Sequence, residues 1–199
     1  MTNIYNGALT REQFLFYEIR IVAKLTEEGA SRAEIAERVR RENLFQFPTE
    51  RTVGSILNAC FKRLDALGSP TLIYHLANAP AVVGKQIDLY AMMRYNRIVW
   101  DLMTTVIGEK YRTQDLEFSK KDLDLFFFRL REQNDAVAVW SDLTVVKIKQ
   151  VLKKSLLECG YLDPADPTRL EPVTIAPELE DGIRENNDLA ALPAFNCFR

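Results

Sequence analysis

The stretch Trp140 to Asp163, WSDLTVVKIKQVLKKSLLECGYLD, decides how this chain is read. Val145, Ile148, Leu152, Leu156 and Cys159 recur at i, i+3, i+7, i+11 and i+14, the spacing of one helical face. Thr144, Lys147, Gln150 and Lys154 fall together on another side, with Lys149 and Lys153 beside them. Ser141 is placed to accept a hydrogen bond from a first-turn amide, and Gly160 is placed to end the helix. Four lysines gathered on one side, in a chain of net charge -2, predict a polyanionic partner, because each phosphate that a lysine neutralises releases counterions. Lysines rather than paired arginines favour backbone contact over base readout. Beyond Gly160 the chain reads YLDPADPTRLEPVTIAPEL, with turn-forming Asp-Pro pairs and a β-compatible PVTI. A basic helix, a glycine, a tight turn and a short β element follow one another as in a winged helix. The expected C-terminal lobe is therefore winged-helix-like.

A second helix of the same kind lies upstream. Thr49 is its expected N-cap and Gly68 its stop, and Val53, Leu57, Cys60, Leu64 and Leu67 form its core face. Arg51, Ser55, Asn58 and Lys62 line the opposite side with no acid among them, and Arg63 is counted with this surface. Ser31 followed by Glu34 has capping-box spacing and starts a helix from about Arg32 to Glu42; Thr10 followed by Gln13 has it too and starts one from about Arg11 to Glu28. NLFQFPTE is the connector. A capped helix, a turn and a polar-faced helix form the pattern of a helix-turn-helix, whose second helix enters the major groove. The same stripe also fits an ordinary solvated face on a bundle helix.

The segment GKQIDLYAMMRYNRIVWDLMTTVIGEKY carries apolar residues on a broad stripe and reads as one or two central helices. Ser119 caps KKDLDLFFFRLREQN, where Leu123, Phe126, Phe127 and Leu130 bury a face, and FFF is read as core rather than as a base-stacking platform. Pro70 and Pro80 mark a bridging region. The expected fold is all-α, with a helix-turn-helix-like lobe over residues 1–68, a bridge over 69–84 and a second helical lobe with an acidic tail over 85–199.

Charge is uneven along the chain. Residues 1–162 are net +3 and residues 163–199 are net -5, so a basic face can coexist with an acidic whole. The tail is expected either to keep nucleic acid away by repulsion or to pack through Leu179, Ile183, Leu189 and Leu192. Cys60, Cys159 and Cys197 lie far apart without ligand spacing and read as reduced thiols of a cytoplasmic protein. The longest charge-free stretch, Ala66 to Gly84, contains Pro70, His75, Asn78 and Pro80, which argues against a membrane span. His75 is the single histidine and is expected as a hydrogen-bonded core imidazole, with no second histidine to build a metal site. There is no glycine-rich phosphate loop, no GxSxG and no metal signature. No catalytic residue, metal, cofactor or small-molecule substrate is expected, and the chain is not read as an enzyme.

Five blocks occur in order: LTEEGASRAEIAERVRRENLF, TERTVGSILNACFKRLDAL, GKQIDLYAMMRYNRIVWDLM, KKDLDLFFFR and WSDLTVVKIKQVLKKSLLECGYL. Together they resemble the BrxA family of bacteriophage exclusion (BREX) defence systems, over roughly Asn6 to Leu179. The resemblance implies an all-helical protein of two small halves that binds double-stranded DNA and acts beside the system's methyltransferase, ATPase and other components. It carries no catalytic motif across, so the ten candidate contacts rest on the helix faces alone. Two other readings remain: an RNA-binding factor built like the helical-bundle transcription antiterminators, and a protein adaptor whose basic faces are only solvated.

Overall fold

A computed structural model describes residues 5–198. The helices are α1 (Phe16–Glu27), α2 (Arg32–Arg41), α3 (Glu50–Leu67), α4 (Pro70–Asn78), α5 (Ala81–Tyr95), α6 (Arg97–Leu102), α7 (Gly108–Thr113), α8 (Lys120–Gln133), α9 (Asp135–Ala138), α10 (Asp142–Glu158) and α11 (Pro177–Glu185). A π-helical turn, Met103–Ile107, joins α6 to α7, and 3-10 turns cover Gly7–Thr10 and Leu189–Phe195. The fold is all-α. Among the described residues the only β pairing is two isolated antiparallel bridges, Glu117 with Arg169 and Leu162 with Leu170.

Most helix ends follow from local chemistry. Ser31 and Glu34 form a reciprocal capping box on α2, as do Ser119 and Asp122 on α8. Thr49 and Ser141 each accept from the amide three residues on, at the starts of α3 and α10. Gly68 and Gly160 take the left-handed conformation that ends those helices, with φ of 63° and 75°.

The first helix departs from expectation. Thr10 caps nothing: its hydroxyl donates to the Gly7 carbonyl at the end of a 3-10 turn, and α1 begins only at Phe16. The reason lies fifty residues away in α3. The Arg63 guanidinium donates to the carbonyls of Glu12 (3.0 Å) and Gln13 (2.6 Å) and holds residues 11–15 as a non-helical strap. A helix there would have turned those carbonyls into its own ladder.

Central position explains the uneven hydropathy. In α5 every residue from Gln86 to Met93 is buried, so this helix has no outer face, and it packs on α3 and α4. α1 packs on α3 and α4, and Arg20 reinforces this by donating to the carbonyls of Ala77 and Ala79 at the end of α4. Residues 69–84 thus form α4 and the start of α5. The acidic tail folds back over the molecule: α11 packs on α4 and α5, and the last 3-10 turn packs on α7. Arg94, Tyr90 and Asn186 tie that tail down, with Arg94 2.9 Å from Asp188. Of the two roles foreseen for the tail, packing is what the structure contains: Leu179, Ile183 and Leu192 are buried, although Leu189 is exposed. One apolar cluster runs from Leu9 to Cys197.

Past α10 the chain makes two Asx turns at Asp163 and Asp166 and then lies between residues 116–118 and 161, donating from Leu170 to Leu116 and from Glu171 to Tyr161. Pairing therefore falls at 162 and 169–170, ahead of the PVTI segment. Residues 172–175 join no ladder, because the Gln86 side chain satisfies the Thr174 carbonyl and the Ala176 amide, both at 2.9 Å. His75 is half-buried, with its ring edge against exposed Tyr74, not in the core as expected.

Candidate functional site

α3 is held by the packing of Val53, Leu57, Cys60, Leu64 and Leu67, all buried. That packing turns Arg51, Ser55, Asn58 and Lys62 outward, and all four are exposed. Asp65 continues the same stripe one turn later, but Arg32 of α2 pairs with it and offsets its charge. Arg40, at the end of α2, leans over the same helix: its guanidinium lies 3.9 Å from where a Cβ on Gly54 would be. Sequence reasoning missed Arg40, because three arginines fall between 38 and 41 and pairing distinguishes them. Arg38 bonds Glu28 and Glu42, Arg41 bonds Glu37 and Glu42, and Arg40 enters no ion pair among the described residues.

Arg63 corrects the expected surface. It is 1 % exposed and faces inward, 3.4 Å from Asp88 of α5, which is fully buried. Burial pushes the Asp88 carboxyl up to about 6, and the Arg63 charge only partly opposes this. The second Asp88 oxygen has no hydrogen-bond partner, which is consistent with a carboxylate poorly compensated for lost water. The periodicity of α3 already placed Arg63 between its polar side and its core, but a partner twenty-five residues away cannot be read from spacing.

On α10 the lysines divide. Lys147, Gln150 and Lys154 are exposed on one side, and Lys153 is exposed on the next. Lys149 is committed to α8: its ammonium lies 2.7 Å from Asp124 and 5.3 Å from the Phe127 ring centroid. It lines an apolar groove of about 760 Å³ between α8 and α10, together with Gln150 and Lys153. The FFF run divides as well. Phe126 and Phe127 are core, as expected, whereas Phe128 is 62 % exposed in that groove.

Both cationic faces are tied to the strap, α10 directly and α3 through Tyr95. Lys62 of α3 lies over the Tyr95 ring, 5.8 Å from its centroid, and the Tyr95 hydroxyl is 3.5 Å from Glu12. Lys154 of α10 is 3.5 Å from the Gln13 side-chain oxygen. Gly7–Thr10, just ahead, packs on α10. Lys62 is thus linked to the strap only through Tyr95, whereas Lys154 touches it directly, and Arg63 anchors the strap through the carbonyls of Glu12 and Gln13.

Among the described residues no group of three or more His, Cys, Asp and Glu side chains could hold a metal ion, and no helix is long and apolar enough to cross a membrane. Burial pushes the Cys60 thiol far up, away from a reactive thiolate.

Fold and surface together define an all-α protein with an outward cationic face on each of two capped helices. The chain belongs to the BrxA family, whose model matches residues 3–187. A BREX protein BrxA of Bacillus cereus (strain H3081.97) is 31 % identical over 159 residues, covering 80 % of this chain and 79 % of the relative. One of Paramagnetospirillum magneticum (strain ATCC 700264 / AMB-1) is 25 % identical over 171 residues, covering 86 % and 85 %. A crystal structure of an uncharacterized protein from Magnetospirillum magneticum superposes with a TM-score of 0.82 at 22 % identity, over 96 % of this chain and 97 % of that one, and supports the fold.

Proposed function

We propose that this protein is a non-catalytic, cytoplasmic component of a BREX phage-defence system that binds double-stranded DNA through α3 and α10 with little sequence preference. The observation that carries this reading is that two outward cationic faces are both linked to one strap, Lys62 through Tyr95 and Lys154 directly through Gln13. A duplex presents one negative charge per about 1.7 Å of axis, so it offers phosphates to exposed cations on both helices. Arg51, Ser55, Asn58 and Lys62 of α3 face the duplex, with Arg40 beside them. Lys147, Gln150 and Lys154 do so from α10. Arg63 contributes by fixing the strap and makes no DNA contact. The names of the two relatives support the assignment to BREX, where other components of the system are the expected protein partners.

The test is a gel-shift series with generic duplex DNA across ionic strength. Affinity should fall steeply with salt. Lys147→Glu with Lys154→Glu, and separately Arg51→Glu with Lys62→Glu, should each weaken binding by more than about tenfold, since each pair removes roughly two phosphate contacts. All four side chains are exposed, so folding should survive. Binding that ignores salt, or that survives both pairs of charge reversals in folded protein, would refute the reading.

A further inference from the structure

We infer that the groove between α8 and α10 is a docking site for a protein partner, and that it takes an acidic amphipathic helix. α8 and α10 run antiparallel, which the cross-pairs fix: Asp124 with Lys149 and, seven residues along each helix, Arg131 with Asp142 at 2.9 Å. Between them Leu123, Phe127, Phe128, Val145 and Val146 line a groove of about 760 Å³. Phe128 and Val146 are 62 % and 48 % exposed there, and Leu125, Val139 and Leu143 of the same helices and their connection are 49 %, 82 % and 65 % exposed. A groove floored by apolar side chains, with Phe128 and Val146 open to solvent in it, marks a surface that something covers.

Charge defines the occupant. Four cations and two acids line the groove. Both acids are already paired, Asp124 with Lys149 and Asp142 with Arg131, which leaves Lys120 and Lys153 without an ion-pair partner among the described residues. Antiparallel pairing brings these two lysines to the same end of the groove. The span from Lys120 to Arg131 is about 17 Å at the helical rise, room for roughly three turns of a partner helix. An apolar floor with one cationic end therefore fits a helix that sets leucine-type side chains into the groove and acidic ones against Lys120 and Lys153. A duplex is too wide to reach this floor. Single-stranded nucleic acid would find Phe128 as the one exposed ring in the groove, since Phe127 is buried beneath Lys149, and the oligonucleotide control tests it.

The probe is a fluorescein-labelled synthetic peptide with leucines at i, i+3, i+4 and i+7 and glutamates elsewhere, titrated with the full chain and read by anisotropy. Controls are a scrambled peptide, the same peptide with lysine for glutamate, and a single-stranded oligonucleotide. We expect the glutamate peptide to bind at least tenfold more tightly than either peptide control. Phe128→Ser and Val146→Glu should each weaken it at least fivefold, Lys120→Glu at least threefold, and Phe128→Ser should leave duplex DNA binding unchanged. Thermal melts of each variant show whether it is folded, and two substitutions on different helices guard against one local defect. Equal binding of the scrambled or lysine peptide, indifference to these substitutions in folded protein, or displacement of the peptide by the oligonucleotide overturns the inference.

Discussion

Arg63→Met removes the guanidinium buried where α3, α5 and the strap meet, and keeps most of the side-chain volume. Three interactions go with it: donation to the carbonyls of Glu12 (3.0 Å) and Gln13 (2.6 Å), and the pairing with Asp88 (3.4 Å). Breaking a buried pair by deleting one partner costs about 3–5 kcal/mol, because the survivor stays desolvated, and we place this variant near 4 kcal/mol at pH 8. For a chain of this size that lowers Tm by roughly 8–16 °C. The pH dependence follows from Asp88. Its folded-state pKa of about 6 lies above its ordinary 3.8, so its contribution to stability is greatest below that ordinary value and is lost as pH rises through 6. Without Arg63 the folded pKa climbs further, and the variant should lose more stability at high pH than the parent does. Its deficit should therefore narrow by about 1–2 kcal/mol between pH 8 and pH 5, where Asp88 is mostly protonated in both proteins. Urea melts followed by circular dichroism at pH 5, 6, 7 and 8 measure this, and adding Asp88→Asn should remove the pH-dependent part. A loss below about 1 kcal/mol, or a deficit that does not change with pH, would refute the buried-pair account.

Gly182→Ala tests the approach of α11 to α4: an added Cβ would sit 2.6 Å from the buried Leu72 side chain, so we expect a loss of about 2 kcal/mol in a urea melt despite alanine's better helix propensity. Truncation after Glu178 deletes the buried Leu179, Ile183, Leu192 and Phe195, worth about 1.5–3 kcal/mol each, and should abolish the cooperative melt; a stable truncated protein with tighter DNA binding would instead restore repulsion as the tail's main role. Ser141→Ala should cost about 1 kcal/mol by uncapping α10 and should leave DNA affinity measured on folded protein within twofold, which a gel shift and a thermal melt check together.

Local sequence was enough to set the helical character of the chain, the starts of α2, α3, α8 and α10, and the buried side of α3 and α10. Each of these is settled within one turn or along one helix, where a hydroxyl three residues from an amide, a glycine free to take positive φ, or a 3.6-residue period acts without help from elsewhere. The same information placed Arg51, Ser55, Asn58, Lys62, Lys147 and Lys154 outward, because a residue opposite a core stripe has nowhere else to point. The remaining features depend on contacts between distant parts of the chain. Arg63 and Lys149 hold charges that look like their exposed neighbours until Asp88 and Asp124 arrive from other helices to compensate them. The start of α1 was lost to an arginine fifty residues away that takes its carbonyls, and PVTI was kept from pairing by the side chain of Gln86. Phe128 stayed in solvent because it faces the groove that α8 and α10 flank without filling. Charge compensation and the satisfaction of backbone groups depend on distance in space, and the fold alone sets that distance.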